Sequence, residues 1–152
     1  MSEEYFKILV VDDSQAMRML LKDLINRNEI TPLVYEAATG REALEKHLEV
    51  KPDMVLMDLR MPGIDGLDVI RIMHKIDYST KIIVITSSTS KTDTQDAIKF
   101  GACDIIHKPF SQNEIALKIV KHLRDKIRGD YIRQKNVLAR VKNSRPSQAQ
   151  RI

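Results

Sequence analysis

"ILVVDDS", residues 8–14, is a run of four aliphatic residues followed directly by two aspartates and a serine. An unbroken apolar run of this length predicts a β-strand that is buried on both faces, as in a parallel sheet with helices on each side. Ser14 is a suitable N-cap for the amphipathic segment that follows. The adjacent carboxylates of Asp12 and Asp13 repel each other, so a cation or a proton is expected beside them.

The same alternation of a short apolar run and a longer amphipathic segment occurs five times along the chain. Because parallel strands are joined by right-handed crossovers, five such units predict an α/β fold with a doubly wound parallel sheet. The predicted strands are 7–11, 33–37, 53–57, 81–85 and 103–107, and the predicted helices are the segment after Ser14, 40–49, 65–76, 91–100 and 111–127.

Polar side chains follow four of these strands at the point where each strand ends. Asp12 and Asp13 follow the first strand, Asp58 the third, Thr86 the fourth and Lys108 the fifth. In an open parallel sheet, ligands bind beyond the carboxyl ends of the strands. Each aspartate taken alone could be just a helix cap or a turn residue. Together, the five side chains predict a functional site at one edge of the sheet.

The residue types at this edge indicate magnesium and phosphate chemistry. Carboxylate oxygens suit a hard cation such as Mg²⁺, which commonly completes its coordination with water and a phosphate oxygen. No histidine or cysteine occurs at the spacing of a zinc site. Lys108 and Thr86 could then bind an anion, and one of the carboxylates could act as a nucleophile, since aspartate can form an aspartyl-phosphate.

Composition favours one globular domain with an appendage. The chain has 152 residues, 43% of them hydrophobic, and a single cysteine, Cys103, which excludes an intrachain disulfide. The longest aliphatic runs are far shorter than the roughly 20 residues of a membrane span, and the acidic N-terminus does not resemble a signal peptide. We therefore expect a cytoplasmic protein without a membrane partner. The net charge of +4 is uneven, because residues 128–152 carry +6 and residues 1–127 carry −2.

Four blocks of this sequence, "ILVVDDS", "DMVLMDLRMPGIDG", "IIVITSS" and "GACDIIHKPF", resemble the signature blocks of two-component response regulator receiver domains. They occur in the order of that family, over about residues 5–127, and the chain is similar to its single-domain, chemotaxis-type members. The resemblance implies a flavodoxin-like (βα)5 fold with strand order 2-1-3-4-5, followed here by a C-terminal helical extension.

The resemblance also implies a role for each residue of the site. Asp58 would be the phosphoacceptor, with Mg²⁺ bound by Asp13 directly, by Asp12 mainly through water, and by Asp58 and the backbone carbonyl of Arg60. Thr86 would hydrogen-bond the acquired phosphoryl group. The catalytic set is completed by Lys108, which would pair with another phosphoryl oxygen and whose bond to Pro109 would be cis.

Two features near this site depart from the usual pattern or leave alternatives open. Ile105 lies where the family usually has Tyr or Phe, so we expect switching through the backbone and the fourth helix, with Ile105 only filling space. Arg60 and Ser88 lie two residues beyond Asp58 and Thr86, where family members border the phosphoryl group. Arg60 could cover that group and change its lifetime, or it could point into solvent.

We divide the chain into a receiver domain, residues 1–127, and a basic C-terminal extension, residues 128–152. A heptad-like stripe could continue the fifth helix to about residue 142, before Pro146 ends it. Three alternatives remain for the extension: a helical arm that pairs with another chain, a linker to an output domain, or a disordered basic segment that contacts an acidic partner or nucleic acid. The stripe consists of Ile127, Tyr131, Gln134, Leu138 and Val141.

The function that follows is a Mg²⁺-dependent switch that accepts a phosphoryl group on Asp58 and changes its binding to a partner. It would turn over no external metabolite. Its partners would be a sensor histidine kinase or phosphotransfer protein and a downstream protein target, with homodimerisation through the extension as a further alternative. We do not expect direct DNA binding, since no helix-turn-helix pattern follows. The alternatives are the input domain of a larger DNA-binding or enzymatic regulator and, more remotely, a phosphatase with an aspartyl nucleophile.

Overall fold

Five strands alternate with five helices in the computed structural model, which describes residues 5–143 and the side chains as far as residue 129. The strands are β1 Lys7–Val11, β2 Leu33–Ala37, β3 Met54–Met57, β4 Lys81–Thr86 and β5 Asp104–His107. The helices are α1 Gln15–Arg27, α2 Gly40–Val50, α3 Gly66–Ile76, α4 Lys91–Phe100 and α5 Gln112–Asn143.

The strands form one parallel sheet in the order β2-β1-β3-β4-β5, which confirms the predicted fold class and strand order. Each predicted strand lies within one residue of an observed one. Helix α5 reaches Asn143, so the predicted helical extension is present. The division of the chain at residue 127 stays a prediction, because α5 passes through that point as one continuous helix.

Two hydrophobic cores cover the two faces of the sheet, because successive residues of each strand point to opposite sides. Leu9 and Val11 of β1 face the helices α2, α3 and α4, in a core that includes Ala43, Val69 and Ala97. The other core lies beneath α1 and α5, with residues from β1, β3, β4 and β5; its members include Ile8, Val10, Leu24, Ile85, Ile106, Ile115 and Leu123. Burial on both sides explains why the strands are continuous apolar runs.

The helices begin where side chains cap their first turns. Ser14 accepts a hydrogen bond from the Met17 amide at the start of α1, as predicted, and Ser90 does the same for the Asp93 amide at the start of α4. Such caps satisfy amides that have no partner within the helix. The turns between each strand and its helix are therefore ordered, and they hold the residues at the carboxyl edge of the sheet. In the described part of the chain, no helix is long and apolar enough to cross a membrane.

Candidate functional site

Three carboxylates meet at the carboxyl edge of the sheet. Asp12 and Asp13 follow β1, and Asp58 follows the adjacent strand β3. One oxygen from each of the three lies within 4.8 Å of the others. Asp12 and Asp58 are buried, with 3% and 6% of their surface exposed, whereas Asp13 is exposed. The predicted cluster is thus formed, and it is open to solvent on the side of Asp13.

Backbone amides hold the two buried carboxylates in place. Oδ1 of Asp12 accepts a hydrogen bond of 2.9 Å from the Ser14 amide. Oδ1 of Asp58 accepts one of 3.0 Å from the Arg60 amide. Each carboxylate therefore has one oxygen fixed by its own loop and presents the other, Oδ2, to a partner from elsewhere in the chain.

That partner is Lys108, which follows β5. Its Nζ donates to Oδ2 of Asp12 at 3.1 Å and to Oδ2 of Asp58 at 3.2 Å. Its amide donates to the Thr86 carbonyl at 2.8 Å, and the Lys108–Pro109 bond is cis, as the resemblance implies. Burial alone would lower the pKa of Lys108, but the hydrogen bond with Asp12 and the charge of Asp58 outweigh it and raise the pKa. Lys108 is therefore a fully charged bridge between the two buried acids.

Thr86 ends β4 at the same edge and is completely buried. Its Oγ1 accepts a hydrogen bond of 3.1 Å from the Ser88 amide. A hydroxyl has one proton to donate and two lone pairs, so this contact leaves the Thr86 proton for another acceptor. The structure thus brings Asp12, Asp13, Asp58 and Lys108 into one cluster, whereas Thr86 is held by the loop that follows it.

The donor atoms of the cluster fit a hard divalent cation. All three side chains offer oxygen, and the exposed Asp13 leaves room for the water ligands that Mg²⁺ retains. Two of the three carboxylates already require the charge of Lys108 to offset their repulsion. The magnesium-binding roles of the individual residues remain predictions, including that of the Arg60 carbonyl.

Known proteins share this fold and these sequence blocks. Residues 8–120 match the response regulator receiver domain. The chain belongs to the response regulator receiver family. The chemotaxis protein CheY of Thermotoga maritima is 44% identical over 109 residues, which cover 72% of this chain and 90% of that protein.

Solved structures agree with this assignment. The CheY-like receiver domain protein of Methanospirillum hungatei JF-1 superposes with a TM-score of 0.79 at 25% identity, over 83% of this chain and 99% of that one. The response regulator domain of Thermotoga maritima CheB gives a TM-score of 0.70 at 33% identity, over 82% and 98% of the two chains. The protein is therefore a CheY-like receiver domain of two-component signalling.

In this receiver domain, Arg60 contacts the start of α4 and does not simply point into solvent, whereas its role toward a phosphoryl group stays a prediction. Its side chain is 61% exposed, yet the guanidinium forms an ion pair of 2.7 Å with Oδ2 of Asp93 in the first turn of α4. The sequence does not predict this role for Asp93. The spacing from Ser90 to Asp93 indicates only the helix cap, which is present, and no local pattern connects Asp93 to a residue 33 positions earlier.

Ile105 lies on β5 of the receiver, partly buried against the core beneath α4. It lines an open cleft of about 460 Å³ together with Thr94, Gln95 and Ile98 of α4 and His107. An aliphatic side chain at this position offers no hydrogen-bonding group to the cleft. The expectation that Ile105 only fills space during switching stays a prediction.

Proposed function

We propose that this receiver domain accepts a phosphoryl group on Asp58 from a phosphohistidine of a sensor kinase or phosphotransfer protein, in a Mg²⁺-dependent reaction. The observation that carries the proposal is the cluster itself. Two buried carboxylates, one exposed carboxylate and a shared lysine lie at the carboxyl edge of a parallel sheet. Asp12, Asp13 and Asp58, with the backbone carbonyl of Arg60, would hold the cation.

Asp58 is suited to be the nucleophile. Its Oδ1 accepts a hydrogen bond from the Arg60 amide. Its Oδ2 accepts one from Lys108 Nζ, which also donates to Asp12. In the transfer, one Asp58 oxygen forms a bond to phosphorus while the phosphorus–nitrogen bond of the donor breaks, and the imidazole nitrogen keeps the electron pair. Bound Mg²⁺ would supply positive charge to the phosphoryl oxygens and to the carboxylates around them.

Lys108 and Thr86 would stabilise the phosphorylated state. An acyl phosphate places more negative charge at Asp58 than the free carboxylate does. Lys108 is already within 3.2 Å of Asp58 and can pair with a phosphoryl oxygen. The Thr86 hydroxyl can donate its proton to the phosphoryl group while it still accepts from the Ser88 amide. Any movement of Thr86 toward the phosphoryl group would displace the loop between β4 and α4.

The output would be a change in binding to a downstream protein, because a phosphoryl group that binds one of two conformations more tightly shifts the population toward it. The chain would catalyse only its own phosphorylation and dephosphorylation. The comparisons do not favour the alternative that this receiver is the input domain of a larger DNA-binding or enzymatic regulator.

Phosphorylation by phosphoramidate would test the proposal, because that donor has the phosphorus–nitrogen bond of phosphohistidine and requires no knowledge of the kinase. Intact-mass spectrometry of the wild type should show one phosphoryl group per chain with Mg²⁺ and little with EDTA. Asp58→Asn should remain unmodified. Asp68→Asn removes an exposed carboxylate from α3 and should behave as the wild type does. Equal modification of Asp58→Asn and the wild type would refute the assignment of the nucleophile.

A further inference from the structure

Arg60, Ser88 and Asp93 form a polar network beside the phosphorylation site. The Arg60 guanidinium donates to Oδ2 of Asp93 at 2.7 Å and to Oγ of Ser88 at 3.3 Å. The Ser88 hydroxyl in turn donates to the same Asp93 oxygen at 3.2 Å. Three segments meet here: the loop after β3, the loop after β4 and the first turn of α4. The network therefore ties both loops of the site to the start of one helix.

The hydrogen-bonding capacity of Ser88 is fully used in this arrangement. Its one proton is directed to Asp93, and its oxygen accepts from Arg60 and from the Ser90 amide at 3.3 Å. The hydroxyl is also buried, with 7% of the residue exposed. It can bond to a further acceptor only if the contact with Asp93 breaks.

Arg60 and Ser88 are also connected directly to the two residues that would hold the phosphoryl group. The Arg60 amide donates to Asp58, and the Ser88 amide donates to Thr86. Each of these residues thus has its backbone bound to the site and its side chain bound to Asp93. A phosphoryl group on Asp58 would bring charged acceptor oxygens to this region, where a guanidinium and a hydroxyl are the polar donors directed at Asp93.

We propose that Asp93 is a positioning residue that competes with the phosphoryl group for Arg60 and Ser88, and so holds α4 in the unphosphorylated arrangement. This inference rests on the proposed function of Asp58. If the contacts of Asp93 weaken when the phosphoryl group is bound, thermodynamic linkage requires that they lower the affinity for that group by the same factor. Removing the contacts of Asp93 should therefore raise the affinity for the phosphoryl group.

The cap of α4 allows this competition to be tested without unfolding the helix. The Asp93 amide donates to Ser90 Oγ at 3.2 Å, and this bond does not involve the Asp93 side chain. Asp93→Asn keeps the shape of the side chain and the backbone N–H that caps the helix, while it removes the negative charge that binds Arg60. Asp96→Asn is the matched control, because it removes the same charge from the same helix three residues farther from the network.

The measurement is the affinity for the phosphoryl mimic beryllium fluoride at fixed Mg²⁺, followed by two-dimensional NMR of the backbone amides. Asp93→Asn should bind about threefold to fivefold more tightly than the wild type, as expected for one partly exposed ion pair and its hydrogen bonds. Asp96→Asn should bind as the wild type does. In an Arg60→Ala background, the effect of Asp93→Asn should shrink, because the main competing contact is already gone.

Four results would overturn the inference. Unchanged affinity in Asp93→Asn would show that its contacts persist in the bound state. An equal gain in affinity in Asp93→Asn and Asp96→Asn would show that the effect is general charge repulsion. A gain in affinity that does not shrink in the Arg60→Ala background would show the same. If the wild type itself binds no beryllium fluoride, the proposed function fails first and this inference fails with it.

Discussion

Lys108 lies between two carboxylates that would otherwise repel each other in a buried site, at 3.1 Å from Asp12 and 3.2 Å from Asp58. A bound cation would offset the same repulsion. The ammonium group and Mg²⁺ would therefore stabilise the same pair of acids, and each would reduce the benefit of the other. We therefore predict that Lys108 affects metal binding, separately from any role in the phosphorylated state.

Lys108→Met should destabilise the metal-free protein by about 1–3 kcal/mol, because it leaves the buried Asp12 and Asp58 without a hydrogen-bond donor. Urea unfolding with EDTA and with Mg²⁺ would measure the effect. Bound Mg²⁺ should stabilise the native state, and in the variant no ammonium group competes with it. Lys108→Met should therefore gain more stability from Mg²⁺ than the wild type does. The control is Lys118→Met, which breaks a pair with Asp104 away from the cluster. Identical Mg²⁺ stabilisation in wild type and Lys108→Met would contradict the competition.

His47 is a second residue whose charge state should affect stability. It is 2% exposed, and its Nε2 lies 3.2 Å from the Thr80 hydroxyl, which donates to the Pro52 carbonyl. Nε2 is therefore the protonated nitrogen, and Nδ1 has no partner among the described residues. Burial lowers the pKa of His47, although the charge of Asp77 opposes the shift. The native protein therefore favours the neutral form of this histidine more strongly than the unfolded chain does.

The unfolded chain binds a proton at His47 more readily than the native protein does, so this residue should reduce stability as the pH falls below about 6.5. The loss due to His47 should be at most about 2 kcal/mol at pH 5, since that pH is about 1.5 units below the unfolded pKa. His47→Gln should therefore show a flatter dependence of unfolding free energy on pH between 7 and 5. His107→Gln, at an exposed position on β5, is the control. The interpretation is wrong if both variants lose stability as steeply as the wild type does.

The end of α4 depends on Gly101. This residue has a φ of +135°, a backbone conformation that residues with a side chain rarely adopt. A Cβ added there would lie 2.5 Å from Cγ of His74 on α3. The turn into β5 can thus approach α3 closely only because position 101 has no side chain. This contact sets how α4 and β5 follow one another, and so it helps to place Lys108.

Gly101→Ala should destabilise the protein by about 2–4 kcal/mol, through backbone strain together with the clash against His74. Gly63→Ala separates the two contributions, because Gly63 has φ of +91° but nothing within 4 Å of an added Cβ. The cost there should be strain alone, about 1–2 kcal/mol. Urea unfolding of the two variants measures the difference. Equal losses would show that the contact with His74 relaxes freely and does not fix the turn.

For the whole molecule, the alternation of apolar runs and amphipathic segments was sufficient to predict the fold class and the strand positions. The same pattern placed Asp12, Asp58 and Lys108 together, because the carboxyl ends of parallel strands share one edge. The strand order came from the resemblance, since hydrophobic periodicity does not state which strands are neighbours. The contact of Arg60 with Asp93 joins residues 33 positions apart, and so does that of His47 with Thr80. Loops and helix ends orient these side chains. No local pattern encodes such contacts.

Helix α5 belongs to the core at one end and extends beyond the residues matched by the family at the other. Ile115, Ile119 and Leu123 are buried, and Lys126 pairs with Asp53 at 2.9 Å. The family match ends at residue 120, whereas the helix continues to Asn143. We therefore predict that the receiver domain obtains its stability from the part of α5 that ends near residue 127.

A chain shortened after Gly129 should unfold with the same free energy as the full chain, within about 0.5 kcal/mol. Leu123→Ala should instead cost about 2–5 kcal/mol, because it leaves a cavity in the core beneath α5. Urea unfolding at several protein concentrations separates two ways in which the shortened chain could differ. Stability that rises with concentration only in the full chain would indicate self-association through residues 130–152, since assembly stabilises the native state by mass action. A shortened chain that is less stable at every concentration would show that the extension packs on its own receiver, and the boundary at residue 127 would then be wrong.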